Sequence, residues 1–235
     1  MKKIVFDIET AGENFDEMDE VTQKALSGWI DRFASDEKDK ERLLGDLKKG
    51  TAFSPFTGEI VAIGVFDVDS EKGAVYYQSS QKEEELEQDG IKLKPMSEKE
   101  MLENFWRIVE HAREFVSFNG RGFDVPFLMI RSAKHRIRPT KNLISNRYLN
   151  NQLKEAIHVD LMDQLTFYGA VRRNPNLHLV CRLLGIASPK EDGLTGDKVT
   201  EFFKAGRCRE IAEYNARDLK STAAVYSYWN KYLRM

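Results

Sequence analysis

Only two cysteines, Cys181 and Cys208, occur in 235 residues. Two thiols far apart in the chain build neither a disulfide scaffold nor a zinc centre, and reduced thiols fit a cytosolic setting, so a cytoplasmic location is expected. The four histidines (His111, His135, His158 and His178) show no metal-ligand spacing. No stretch approaches the roughly 20 apolar residues that cross a bilayer, so no membrane segment is expected. Only Ile4–Phe6 precede the first acid at Asp7, too short for the apolar region of a signal peptide. Neither charge sign dominates: the net charge is -2 and the pI near 6.2. Without a global cationic field, nucleic acid would have to be met by a local basic patch. Internal repeats and low-complexity linkers are missing too.

What is present is an ordinary globular balance, 41% hydrophobic and 31% charged, over a length that suits one generous domain. Residues 2–9 read as a buried strand, residues 58–69 as a second and residues 73–80 as its hairpin partner. Between the first two lies a charged helical insert at about 15–49, read as two surface helices. The acidic run at 82–90 reads as a solvated loop. Ser97 and Glu100 form a capping-box pattern that opens a helix. "EFVSF" is a short strand, "NGRG" a turn, and "FDVPFLMIRSAKH" a helix; "AIHVDLMDQL" runs from strand into helix. Two more helices follow, "NLHLVCRLLGI" and the long C-terminal "CREIAEYNARDLKSTAAVYSYWNKYL". Strands first and helices after predict an α/β or α+β sheet with helices on its faces.

The acids raise the functional question. Strand side chains alternate, so Asp7 and Glu9 share a face while Ile4, Phe6 and Ile8 point into a core. A strand that merely ends at water would also carry such acids. Asp124 falls in the first turn of a helix, where the helix dipole favours a carboxylate by about 0.3–1 kcal/mol. That position is also the crevice outside strand ends where α/β proteins place their sites. Tyr214 and Asp218 lie one turn apart on the last helix; a packed tyrosine beside a surface aspartate satisfies the same spacing. As a set, four acids need positive charge between them. Oxygen-only ligands select hard divalent cations, and two ions about 3.5–4 Å apart form a phosphoryl-transfer clamp.

At these residues the sequence resembles the DEDD superfamily of 3'-5' exonucleases. "FDIET" is similar to the first motif, "FNGRGFD" to the second, and "YNARD" to the third in its tyrosine form; the histidine form would need His where Glu213 stands. "GEIVAIGV", "HVDLMD" and "NLHLVCRLLGI" extend the resemblance to the exonuclease domain of family B DNA polymerases over nearly the full length. The resemblance implies an RNase H-like three-layer α/β fold, with a mixed five-stranded sheet and helices on both faces, as a single domain over 1–235. It implies that Asp7, Glu9, Asp124 and Asp218 hold two Mg²⁺ or Mn²⁺ ions and that Tyr214 orients the attacking water. The implied activity is removal of nucleoside 5'-monophosphates from single-stranded 3' ends, with DNA the expected substrate. Thr10, Asn119 and Phe123 would contact the terminal nucleotide. Phe123 is equally placed to anchor its helix to the core, and Asn119 to make the turn with Gly120.

Basic residues at 131–142 and Arg172–Arg173 are candidates to track a phosphate backbone, or a solvated helix end and loop. Asp160 is expected to cap a helix, though its place at a strand end could also line the same cleft; Tyr228 and Trp229 are expected to pack in the core. No protein partner is deducible. The rival readings are a catalytically idle module that binds single strands, an endonuclease of the RNase H-like class, and an inert structural protein.

Overall fold

Strand β1 (Lys3–Gly12) separates the two cores of the molecule. Ile4, Phe6 and Ile8 pack with Leu102, Phe105, Val125 and Leu128 on one side of the sheet, as their alternation predicts. Val5 faces the other side, with Val61, Val180, Ile211 and Leu219. The computed structural model describes residues 2–79, 84–187 and 195–234. The remaining strands are β2 (Gly58–Asp67), β3 (Lys72–Tyr77), β4 (Leu86–Gln88), β5 (Ile91–Pro95), β6 (Glu114–Ser117) and β7 (Ile157–Asp160). Among the described residues they form one seven-stranded mixed sheet in the order β4-β5-β3-β2-β1-β6-β7. β1 sits between an antiparallel neighbour, β2, and a parallel one, β6.

The sheet therefore has two strands more than the five expected. Both come from the stretch around the acidic run, whose residues 82 and 83 lie outside the described ones. β4 and β5 pair antiparallel across Asp89 and Gly90, which have φ of 50° and 79°. An Asp-Gly pair with both φ positive is a two-residue hairpin turn. The residues of β4 are all exposed, so no apolar alternation announces it.

Helix α4 (Glu98–Val109) opens on the expected capping box, Ser97 with Glu100. It shares one face of the sheet with α5 (Asp124–Lys134). The opposite face is covered by α6 (Leu161–Leu165), α7 (Leu177–Leu184), α8 (Val199–Lys204) and the long α9 (Cys208–Tyr232). Helix, sheet, helix is the RNase H-like three-layer arrangement. Cys181 and Cys208 are both buried, and neither forms a disulfide. Among the described residues no helix is long and apolar enough to cross a membrane.

The insert holds α1 (Glu20–Ser27), α2 (Ile30–Phe33) and α3 (Glu37–Gly50). The first of the two expected helices is divided near Gly28, and the two longer helices start on aspartate side-chain caps, Asp19 and Asp36. Neither α1 nor α3 buries a residue fully. A 3-10 turn at Thr51–Phe53 then returns the chain to β2, where Gly58 pairs with Gly12 of β1.

Two sequence expectations give way here. Arg131, counted among the basic track, is buried: Nε and Nη2 each donate to Glu98 at 2.7 Å. The same carboxylate accepts the Ile60 amide at 2.9 Å and sits 2.7 Å from His135 Nε2. Burial pushes the Glu98 carboxyl up, but the bonds from Arg131 and His135 outweigh it and hold it below its ordinary value. Tyr228 is 39% exposed and rests on Tyr232, whereas Trp229 is in the core as expected.

Candidate active site

β1 and α9 bring the acids together. Asp7 and Glu9 leave the same face of β1, the face that α9 covers. Asp218 reaches them from α9, and one carboxylate oxygen from each of the three residues lies within 4.8 Å of the other two. Glu9 is 6% exposed; Asp7 and Asp218 are half-buried.

Asp124 joins them by a different route. The ladder between β1 and β6 ends at Val5–Val116. Beyond it, Asp124 Oδ1 accepts the Ile8 amide at 3.0 Å, which fixes the first turn of α5 against the backbone between Asp7 and Glu9. The turn ahead of α5 is held by Asp160. Its two oxygens accept the Asn119 and Arg121 amides, each at 3.0 Å, and Oδ1 also caps α6 through Met162 N at 3.0 Å. Asn119 has φ of +65°, so it makes the turn, as its neighbouring glycine suggests. A Cβ on Gly120 would meet Ser117 Oγ at 2.2 Å, so only glycine lets the turn lie this close to β6.

Burial raises the carboxyl pKa of Asp7 well above its ordinary value, and repulsion from Asp124, Glu9 and Asp218 raises it further. Burial and the Asp218 charge do the same to Glu9, with a bond from Asn215 opposing. Burial pushes Asp124 up to about 7, despite the stabilising Ile8 amide. Three acids thus converge, with Asp124 close enough to repel them. An oxygen-only donor set at this separation fits a hard divalent cation. Tyr214 is buried and hydrogen-bonds to Asp218; burial and the surrounding carboxylates push its phenol far above its ordinary value, so it stays protonated.

The sequence-predicted nucleotide contacts flank this cluster. Phe123 is half-buried between the rings of Phe127, 5.0 Å away, and Phe53, 6.3 Å away. Thr10 is buried, and its hydroxyl donates to the Ala52 carbonyl at 2.7 Å. That bond seats the Thr51–Phe53 turn beside the site. Two residues escaped the sequence reading. Phe53 lies in the turn between the insert and β2, outside every motif. Asn215 was passed over between Tyr214 and Asp218. Asp160, which the sequence offers as a cap that could also line the cleft, caps α6 and repels Asp124.

A family model described as a predicted 3'-5' exonuclease related to the exonuclease domain of PolB matches residues 57–234. The chain belongs to that family. The match takes in Asp124, Tyr214 and Asp218; Asp7 and Glu9 precede it. DNA polymerase 1 of Sulfurisphaera ohwakuensis is 26% identical over 94% of this chain and 27% of its own length. DNA polymerase 1 of Sulfolobus acidocaldarius is 23% identical over 92% of this chain and 26% of its own. This exonuclease-family chain thus spans about a quarter of these relatives. The family B DNA polymerase of Pyrobaculum calidifontis shares the fold, with a TM-score of 0.58 at 16% identity over 98% of this chain and 24% of that one.

Proposed function

We propose that the protein is a metal-dependent 3'-5' exonuclease of the tyrosine DEDD type, acting as one domain over 1–235 on single-stranded 3' ends, with DNA the expected substrate and the cytoplasm the expected location. The observation that carries this is the convergence of Asp7, Glu9 and Asp218, with Asp124 bonded to the strand between the first two. Two divalent cations, Mg²⁺ or Mn²⁺, held by these four residues would supply an activated water and stabilise the departing 3' oxygen. The protonated Tyr214 hydroxyl would orient the water; a phenol held above its reference pKa near 10 is no general base at neutral pH. Water then attacks the terminal phosphodiester in line, the bond to the 3' oxygen breaks, and a nucleoside 5'-monophosphate leaves. Phe123 and Phe53 would stack on the last bases, Asn119 would meet the terminal nucleotide, and Thr10 would serve that contact by holding the 51–53 turn.

The test is digestion of matched DNA and RNA oligonucleotides with Mg²⁺, Mn²⁺ or chelator, comparing the wild type with Asp7→Ala. Mononucleotides released only with metal, and lost in Asp7→Ala, are the expected result. Internal fragments would replace the proposal with an endonuclease. Metal-independent strand binding without cleavage would replace it with an idle binding module.

A further inference from the structure

Asn215 follows Tyr214 on α9 and is wholly buried. Its Nδ2 donates to Asp7 Oδ2 at 2.8 Å, and its amide also bonds the Glu9 carboxylate. Ionised carboxylates only accept hydrogen bonds, so the NH₂ end of the amide must face them. At the other end, Asn215 Oδ1 is buried and lacks a hydrogen-bond partner among the described residues. It is lodged against Gly64 of β2, the residue directly opposite Asp7 in the sheet. A Cβ on Gly64 would stand 2.0 Å from Oδ1 and 2.6 Å from Leu219 Cδ1. A buried amide oxygen left unpaired costs stability, and an apolar side chain of like size would remove that cost. An asparagine here is poor packing but a good double donor.

We infer that Asn215, seated in the gap left by Gly64, is a positioning residue that holds the Asp7 and Glu9 carboxylates at the spacing in which they bind metal. The inference rests on the proposed metal site and goes beyond it. Asp7 Oδ2 is tied to α9, the helix that also carries Asp218, so ligands from strand and helix move as one unit. Residues that orient ligands in this way are typically worth 10–100-fold in metal affinity.

The test uses Mn²⁺ alone, without substrate, titrated calorimetrically into the wild type, Asn215→Leu and Asn215→Ala, with thermal unfolding of each metal-free protein alongside. Asn215→Leu is expected to unfold at the wild-type temperature or above, because the unpaired oxygen is gone, yet to bind Mn²⁺ 10–100-fold more weakly. Should Asn215→Leu misfold, Asn215→Ala, which only removes atoms, is expected to show the same weakening. Gly64→Ala, which pushes on Oδ1 without touching an acid, is expected to weaken Mn²⁺ binding in the same direction. A folded Asn215→Leu or Asn215→Ala with wild-type Mn²⁺ affinity overturns the positioning role and leaves the metal site standing. A wild type that binds no Mn²⁺ overturns the metal site itself, and this inference with it.

Discussion

The Phe53 ring lies 6.3 Å from the Phe123 ring, tilted by 57°, although the two residues come from opposite ends of unrelated elements. Phe53 is 53% exposed while Phe123 is backed by Phe127, so the pair offers one open ring and one supported ring beside the carboxylates. Base stacking on an aromatic is worth about 1–3 kcal/mol. Phe53→Ala is therefore expected to raise KM on single-stranded oligonucleotides roughly 5- to 150-fold. Hydrolysis of a nitrophenyl ester of a mononucleotide should change far less. Equal losses on both substrates would mean that Phe53 supports the site instead of the strand.

The acids and the tyrosine should separate in kinetics. Each acid would anchor charge stabilisation of several kcal/mol, so its removal is expected to cost kcat about a thousandfold or more. Tyr214→Phe deletes one hydrogen bond that positions water and keeps the ring in place, with an expected loss of about 10- to 100-fold. Single-turnover rates of Asp7→Ala, Glu9→Ala, Asp124→Ala, Asp218→Ala and Tyr214→Phe check the ranking, and five equal losses would refute it.

The shared negative charge carries a stability signature. Asp124 is raised from 3.8 to about 7 by burial, and Asp7 and Glu9 are raised as well. A carboxyl with a raised folded-state pKa binds more protons folded than unfolded. Its contribution is complete below the ordinary carboxylate pKa and is lost as pH rises through the folded value. Without metal, the wild type should therefore lose stability relative to Asp7→Asn as pH rises above the ordinary carboxylate range. At neutral pH in chelator, inactive Asp7→Asn should melt higher by several degrees, since about 1 kcal/mol shifts a chain of this size by 2–4 °C. Mn²⁺ should reverse the order. His158, lowered to about 4 by burial, titrates in part of this window but equally in both proteins. Coincident melting curves in chelator would sink the prediction.

Arginines of one sequence patch should behave in opposite ways. Arg131 is spent inside the protein on Glu98, so Glu98→Gln strips a buried guanidinium of its charge partner and is expected to destabilise by about 3–5 kcal/mol. Arg172 and Arg173 are exposed. Replacing both with alanine should leave stability unchanged and flatten the salt dependence of strand binding by about 1.4 in log–log slope. An unchanged slope would remove them from the phosphate track.

How much of this was legible in the chain follows from which signals are local. Alternation along Ile4, Phe6 and Ile8 and the glycine turn before Asp124 expose β1 and the start of α5 directly. Ser97 with Glu100 does the same for α4. The β4–β5 hairpin hid because β4 buries no residue, and its one clear mark, Asp89–Gly90, sat inside an acidic run. Arg131 looked like surface because a sequence shows its charge but not Glu98 folded over it. Asn215 and Phe53 were invisible for a related reason: their meaning lies across the sheet at Gly64 and across the cleft at Phe123.

Gly12 and Gly58 face each other at the ends of two hydrogen-bonded strands, so the whole of residues 13–57 leaves and re-enters the sheet at a single point. Topologically the excursion is a graft. A tight loop could bridge the same gap and leave the acids on their scaffold. Such a trimmed chain would part the acid cluster from the aromatic that the graft delivers, and show which property each of the two brings.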